Sequence, residues 1–210
     1  MTSLPNTIST HSTTPQSTSE VAGTRPFRVL CVCQGNICRS PVAAVLLQDA
    51  LGPGVEVTSA GTRAVVGAPV APPMEALLGD RGAESGTFRA RQLRPEHLRE
   101  ADLVLTMTTR QRGKAAALAP VVVRRTFTLA ELARLLADVD PDDLDAGTAA
   151  ERLRAAVPLA EARRRFVADP QEDDIADPYG RDDAAYIKAY AEIEDAVRRL
   201  SAVLRPDRTA

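Results

Sequence analysis

The most constraining feature of the sequence is an apolar run that leads directly into a short loop and a helix start. Phe27 to Cys33 reads FRVLCVC, which is typical of a buried strand, and residues 34–39 follow as a loop. Ser40 suits a helix N-cap and Pro41 suits the first helical position. In parallel α/β sheets, ligands bind where a strand ends and a helix begins. The sequence therefore predicts a ligand-binding loop at this point.

The rest of the chain alternates between strand and helix patterns. The first helix is expected to end near Leu51, before Gly52, Pro53 and Gly54. Further strands are predicted at Val55–Ser59, Asp102–Met107 and Val121–Phe127, and helices around residues 74–80, 108–119 and 182–204. In the last of these, apolar residues recur at spacings of four and three, which makes it the clearest helix. This alternation predicts a parallel α/β sheet.

Two capping-box patterns predict additional helices in the second half of the chain. Thr128 with Glu131, and Thr148 with Glu151, have the spacing in which two residues cap a helix start reciprocally. We interpret residues 128–169 as a helical insertion within a domain spanning residues 25–210. Residues 1–24 contain twelve Ser or Thr and few apolar residues, so we expect a disordered tail.

Composition excludes several classes of protein. A formal charge of -2 and the absence of Trp argue against nucleic-acid binding. No run of roughly 18 uncharged apolar residues and no secretory signal is present, so no association with a membrane is expected. Cys31, Cys33 and Cys38 fall within eight residues, which suits a reducing cytoplasm rather than a disulfide framework. Their spacing is not a zinc pattern, so neither a metal nor another cofactor is expected.

The loop between Cys33 and Arg39 has the features of an oxyanion-binding loop. Consecutive backbone N–H groups in such a loop can converge on one point, and the positive end of the following helix adds to the field. Arg39 can donate two parallel hydrogen bonds to a phosphoryl group. The same field stabilises a thiolate on Cys33, so the thiol can be activated without histidine.

Neighbouring loop residues have plausible supporting roles. Gly35 permits unusual backbone torsions, and Asn36 tolerates the left-handed region and can brace the loop with its amide. Ser40 can point its hydroxyl at the sulfur. Each feature alone has a plainer reading as an inert cysteine, an ordinary turn or a helix start. Their coincidence within the nine residues from Cys33 to Pro41 favours a functional loop.

The segment VLCVCQGNICRSP resembles the signature of the low-molecular-weight protein tyrosine phosphatases, a strand followed by Cys-x5-Arg-Ser-Pro with Gly-Asn inside. The resemblance continues downstream and spans about residues 27 to 204. The further matching segments are Ser59–Thr62, Ala90–Leu93, Ala101–Leu103, Thr106–Met107 and Ile175–Gly180. The resemblance implies a three-layer flavodoxin-like domain with a four-stranded parallel sheet.

The same resemblance implies a protein tyrosine phosphatase that works through a phosphocysteine intermediate. Cys33 would be the nucleophile, Arg39 the phosphate clamp and Asp177 the general acid and base. The residues implied to bind substrate are Gln34, Gly35, Asn36, Ile37, Cys38, Ser40 and Tyr179. Tyr179 would be either an aromatic wall of the cleft or a half-buried loop residue.

Cys38 corresponds to the family's second loop cysteine. It would either form a reversible disulfide with Cys33 or pack as a small buried side chain. The partners that the resemblance implies are phosphate in the loop and a phosphotyrosine-containing protein, with a bacterial tyrosine kinase as one example.

Three alternative functions stay open. An arsenate reductase of the same fold would pass oxidation to a downstream cysteine pair, whereas no cysteine follows Cys38. Phosphoarginine phosphatases of this family have threonine where Ile37 stands, and the apolar side chain favours an aromatic substrate. A phosphate-binding module without turnover would need neither the Cys33 thiol nor Asp177.

Overall fold

The computed structural model describes residues 25–140, 143–144, 147–164 and 173–204, with the backbone alone at 82–85. Four strands form the central sheet: β1 Phe27–Cys33, β2 Val55–Gly61, β3 Leu103–Thr106 and β4 Thr126–Thr128. Their order in the sheet is β2-β1-β3-β4. Every strand pair is parallel, which confirms the predicted architecture.

Helices cover both faces of this sheet. They are α1 Arg39–Leu51, α2 Pro72–Leu78, α3 Pro95–Glu100, α4 Thr109–Leu118, α5 Leu129–Leu136, α6 Ala149–Arg163 and α7 Asp183–Leu204. Two 3₁₀ segments, Gly79–Thr87 and Pro120–Arg125, follow α2 and α4.

The side chains of β1 alternate between two hydrophobic cores. Val29, Cys31 and Cys33 lie in one core with residues of α1, α5, α6 and α7. Leu30 and Val32 lie in the other, with residues of α3 and α4. Because successive strand residues point to opposite faces, a strand buried on both faces must be apolar throughout, as β1 nearly is. The result is the three-layer flavodoxin-like fold that the resemblance implied.

One predicted strand is wrong for most of its length. Val121–Phe127 was expected to be a strand, but Pro120–Arg125 forms a 3₁₀ segment and β4 begins only at Thr126. Pro120 sits at a helix start, where its fixed φ is favourable. Val122 is fully buried while Val121 and Val123 are exposed, so the apolar run lies on the surface rather than inside the sheet.

Both predicted capping boxes are present. Thr128 caps α5 with Glu131, and Thr148 caps α6 with Glu151. Helix α5 packs on α7, and α7 packs on α1. That residues 128–169 form an insertion stays a prediction, and the predicted tail of residues 1–24 lies outside the described residues. Within the described part of the chain, no helix is long and apolar enough to cross a membrane.

Helix α7 offers a matched test of this packing. We expect Ile193→Ala to lower the free energy of unfolding by about 2–5 kcal/mol, because the side chain is fully buried in the core. Ile187 lies on the same helix but is 56% exposed, so Ile187→Ala should change stability by less than about 0.5 kcal/mol. Urea unfolding of both variants measures the difference, and equal losses would contradict the assigned orientation of α7.

Candidate active site

The loop between β1 and α1 is held by its carbonyl groups. The carbonyls of Cys33, Gln34 and Gly35 accept hydrogen bonds from the N–H groups of Thr62, Arg63 and Val65, each at 2.9 Å. The carbonyl of Ile37 accepts one from the N–H of Ala71 at 2.7 Å. These donors all follow β2, so the four loop carbonyls point toward the segment after β2.

Peptide planarity then fixes where the loop N–H groups point. In a trans peptide the N–H of each residue is opposite to the carbonyl of the residue before it, and the described chain has no cis peptide bond. Outward carbonyls therefore turn the N–H groups of Gln34, Gly35, Asn36 and Cys38 to the other side. The Asn36 N–H donates to the sulfur of Cys33 at 3.2 Å, which marks this side as the one that faces the thiol.

The Cys33 sulfur is surrounded by donors. It accepts hydrogen bonds from the Asn36 N–H at 3.2 Å and from the Ser40 hydroxyl at 3.0 Å. Hydrogen bonds of this kind favour the charged form of the group that accepts them. The N–H groups of Gly35 and Cys38 have no hydrogen-bond partner among the described residues, so they remain able to donate to a ligand.

The Ser40 hydroxyl points at the sulfur as predicted, but Ser40 is not the helix cap. Helix α1 begins at Arg39, with Cys38 in the cap position, so Ser40 and Pro41 are its second and third residues. No side chain caps this helix end. The early start leaves the N-terminal N–H groups of α1 close to the loop interior, where they add positive potential.

Asn36 braces the loop from inside. Its φ of 55° lies in the left-handed region, which confirms the expected conformation. Its side-chain amide donates to the hydroxyls of Ser40 and Ser59, both at 2.9 Å, and its carbonyl oxygen accepts from the Arg91 N–H at 2.9 Å. The expectation for Gly35 was wrong, since its φ is not positive. Among the described residues, Asn36 is the only non-glycine residue with a positive φ. The contacts of its amide offset the strain of this conformation.

Arg39 is buried and only partly satisfied. Nη1 donates to the carbonyl oxygen of Ile175 at 2.9 Å, and Nη2 forms an ion pair with the carboxylate of Asp177. Nε is buried and has no partner among the described residues. A buried donor without a partner is rare in native proteins, and a guanidinium can bind phosphate through two parallel donors. The arrangement suits an oxyanion bound beside the sulfur.

Asp177 contacts Arg39, and Tyr179 contacts Asp177. The Asp177 side chain is 41% exposed, and one of its oxygens accepts from the Tyr179 N–H at 3.3 Å. Tyr179 is 63% exposed, so the reading of it as half-buried is wrong. Its role as an aromatic wall stays a prediction.

The remaining predicted loop residues differ in accessibility. Gln34 is exposed, whereas Ile37 is only 7% exposed. Burial, with smaller contributions from Cys33 and Asp177, raises the pKa of Cys38 to about 12, so Cys38 is a neutral thiol at physiological pH. Burial likewise raises the pKa of Cys31, deep in the core. A redox role for Cys38 stays a prediction.

Sequence reasoning assigned no role to Gly61, Ser59 or Arg91, which shape the loop from outside. A Cβ atom on Gly61 would lie 2.6 Å from the carbonyl oxygen of Gln34, so only glycine allows this close approach. Ser59 and Gly61 belong to a segment that the family resemblance included, and this was the available signal. No group of His, Cys, Asp or Glu among the described residues could hold a metal ion.

Residues 28–150 match the family model described as low molecular weight phosphotyrosine protein phosphatase, and the chain belongs to this family. A protein-arginine-phosphatase from Geobacillus stearothermophilus is 32% identical over 182 residues, which cover 87% of this chain and 99% of the relative. The low molecular weight protein-tyrosine-phosphatase Etp of Escherichia coli K12 is 36% identical over 99 residues, or 47% of this chain and 66% of Etp.

Solved structures agree with this membership. The YwlE arginine phosphatase from Geobacillus stearothermophilus has a TM-score of 0.58 and 30% identity, covering 84% of this chain and 92% of that one. The tyrosine phosphatase amsI of Erwinia amylovora has a TM-score of 0.62, covering 87% and 96% of the two chains. Its identity is 24%, so it supports the fold alone.

The contact at Gly61 can be tested without touching the thiol. We expect Gly61→Ala to push the Gln34 carbonyl away, tilt the following N–H and weaken binding of inorganic phosphate about tenfold, equivalent to about 1.4 kcal/mol. Gly54→Ala is the control, since a Cβ there meets only Ala150 at 3.8 Å. Calorimetric titration with phosphate compares the two, and unchanged affinity in Gly61→Ala would show that the loop does not depend on this approach.

Proposed function

We propose that the chain is a cytoplasmic protein tyrosine phosphatase that hydrolyses phosphotyrosine through a phosphocysteine intermediate. The observation that carries the proposal is the buried Nε of Arg39, which has no partner among the described residues and lies at the end of the loop whose Asn36 N–H donates to the Cys33 sulfur. A bound phosphoryl group would supply acceptors for all of these donors. It would also bring phosphorus within reach of the Cys33 sulfur, which accepts two hydrogen bonds.

Binding of the substrate would rearrange the contacts of Arg39. In the substrate-free chain, the carboxylate of Asp177 pairs with Arg39. An arriving phosphate dianion would compete for the same guanidinium and turn the Asp177 carboxyl toward the leaving group. The exposed position of Asp177 gives it room for this movement, while Arg39 is buried and held by the carbonyl of Ile175.

The first chemical step would transfer the phosphoryl group to sulfur. The Cys33 thiolate attacks phosphorus, the S–P bond forms and the bond from phosphorus to the tyrosine oxygen breaks. Asp177 takes up a proton from solvent once phosphate displaces it from Arg39, and gives that proton to the departing phenolate. The loop N–H groups and Arg39 stabilise the charge on the three equatorial oxygens, which is the main electrostatic contribution.

The second step would return the enzyme to its starting state. Water attacks phosphorus of the phosphocysteine while the Asp177 carboxylate accepts a proton from it. The S–P bond breaks, the Cys33 thiolate reforms and inorganic phosphate leaves. The hydrogen bonds from Asn36 and Ser40 to the sulfur make the thiolate a better leaving group in this step.

A protein-arginine phosphatase is the second candidate, since a relative with that name matches 87% of this chain. The phosphocysteine chemistry would be the same, and the leaving group would be a guanidinium nitrogen. We favour tyrosine because Ile37 lacks a hydroxyl with which to bind a polar guanidinium. Tyr179 also presents an exposed aromatic ring beside Asp177. A bacterial tyrosine kinase is the phosphoprotein to test first.

A substrate panel tests the proposal. Purified protein should release phosphate from phosphotyrosine peptides at least about tenfold faster than from matched phosphoarginine or phosphoserine peptides, and should not reduce arsenate in the presence of a thiol. Cys33→Ser should abolish turnover, because the hydroxyl is a far weaker nucleophile, while it still binds inorganic phosphate. Preferred hydrolysis of phosphoarginine would replace tyrosine with the second candidate, and phosphate binding without any turnover would leave only a binding module.

Asp177→Asn tests the general acid separately. We expect kcat/KM, which reports the step in which the leaving group departs, to fall by about 10²- to 10³-fold for phenyl phosphate, whose leaving group needs a proton. The loss should be much smaller for p-nitrophenyl phosphate, whose leaving group departs as a stable anion. Steady-state kinetics on a series of aryl phosphates measures this dependence, and an equal loss across the series would remove Asp177 from the role of acid.

A further inference from the structure

The segment that carries Asp177 is fixed by a buried ion pair outside the phosphate loop. Arg134, on α5, donates to both carboxylate oxygens of Asp173, from Nε at 3.0 Å and from Nη2 at 2.6 Å. The Asp173 side chain is 6% exposed and that of Arg134 is 34% exposed. Two parallel hydrogen bonds fix the relative orientation of the two groups as well as their separation.

The backbone at Asp173 is attached to the same helix. The Thr128 hydroxyl donates to the carbonyl oxygen of Asp173 at 3.0 Å and accepts from the Glu131 N–H at 3.0 Å. Thr128 is the cap of α5 and the last residue of β4. Thus α5 binds Asp173 twice, through the side chain of Arg134 and through its own N-terminal cap.

The next two residues continue this attachment toward the active site. A carboxylate oxygen of Asp174 accepts from the N–H of Thr109, in the first turn of α4, at 2.6 Å. The N–H of Ile175 donates to the carbonyl of Met107 at 2.8 Å, and its own carbonyl accepts from Arg39. A connected series of contacts therefore runs from α5 along the segment to the phosphate-binding guanidinium, and Asp177 lies two residues further on.

We infer that Arg134 and Asp173 are positioning residues for the proposed general acid, holding Asp177 in register with Arg39. This inference rests on the proposed function. Removing Arg134 would leave the buried Asp173 carboxylate without its strongest partners, and a buried unpaired charge is costly enough to move the segment toward solvent. The displacement would reach Asp177, and a misplacement of about 1 Å can slow a reaction by up to about 10²-fold.

A second ion pair between an arginine and a buried carboxylate on α5 provides a control, which distinguishes a positioning role of Arg134 from a purely structural one. Arg112, on α4, donates to the buried carboxylate of Glu131 on α5 at 2.6 Å, and its side chain is 27% exposed. Both pairs thus join a half-buried arginine to a nearly buried carboxylate and both involve α5. Among the described residues of these two pairs, Asp173 alone belongs to the segment that carries Asp177; Glu131 reaches that segment only through the Thr128 cap. Glu131 also keeps Arg164 as a partner at 2.9 Å when Arg112 is replaced.

The test compares Arg134→Gln with Arg112→Gln in steady-state kinetics on phenyl and p-nitrophenyl phosphate. We expect Arg134→Gln to lower kcat/KM on phenyl phosphate by about 10- to 100-fold and on p-nitrophenyl phosphate by less than about threefold. Arg134→Lys should show a smaller loss, since an ammonium keeps the positive charge but cannot form the two parallel hydrogen bonds to the carboxylate. Arg112→Gln should lower the melting temperature, and any loss of rate that it causes should be equal on the two substrates.

Combining variants separates positioning from general damage. In an Asp177→Asn background, Arg134→Gln should change kcat/KM on phenyl phosphate by less than about twofold, because no proton donor is left to misplace. Asp173→Asn should match Arg134→Gln. Equal losses on both substrates, losses matching those of Arg112→Gln, or full additivity with Asp177→Asn would each overturn the inference. If the wild type and Asp177→Asn show no leaving-group difference, the proposed function itself fails, and the inference fails with it.

Discussion

The site depends on the outward anchoring of four loop carbonyls. Because peptide units are planar, each carbonyl that is bound by the segment after β2 turns the next N–H toward the sulfur of Cys33. The anchoring is built on close approach, since Gly61 leaves no space for a side chain beside Gln34. Asn36 completes it from within by joining the loop to α1, to β2 and to the strand-like stretch at Arg91. The loop is thus organised before any ligand arrives, and preorganised donors are those that stabilise developing charge most effectively.

Arg39 connects this loop to the distant end of the chain. It begins α1, yet its guanidinium contacts the carbonyl of Ile175 and the carboxylate of Asp177. Arg39, the proposed phosphate clamp, is therefore also the partner of Asp177, the proposed acid, so a displacement of either residue would move the other. Residues 173–175 are attached to α4 and α5, so these helices hold the segment next to the site as well as cover the sheet.

Much of the fold could be predicted because its signals are local. The apolar run of β1, the capping boxes at Thr128 and Thr148, and the periodicity of α7 each specify an element from a few neighbouring residues. The apolar run at Val121–Val123 led to a wrong strand prediction. Apolar content alone does not distinguish a buried strand from a surface 3₁₀ segment that begins at a proline. For Cys33 and Arg39 the chemistry of the loop indicated an activated thiol and a phosphate ligand, whereas the role of Asp177 came from the family resemblance alone. The contacts of Gly61 with Gln34 and of Arg134 with Asp173 join residues far apart in sequence, so no local pattern could indicate them.

A crystal structure with vanadate, which mimics the phosphoryl group at the transition state, would test the central claim most directly. The account predicts vanadium bonded to the Cys33 sulfur, with its equatorial oxygens accepting from the N–H groups of Gly35 and Cys38 and from Nε of Arg39. The Asp177 carboxyl should then lie against the apical oxygen opposite the sulfur. Vanadate bound elsewhere, or held in the loop while Nε of Arg39 keeps no partner, would contradict the account.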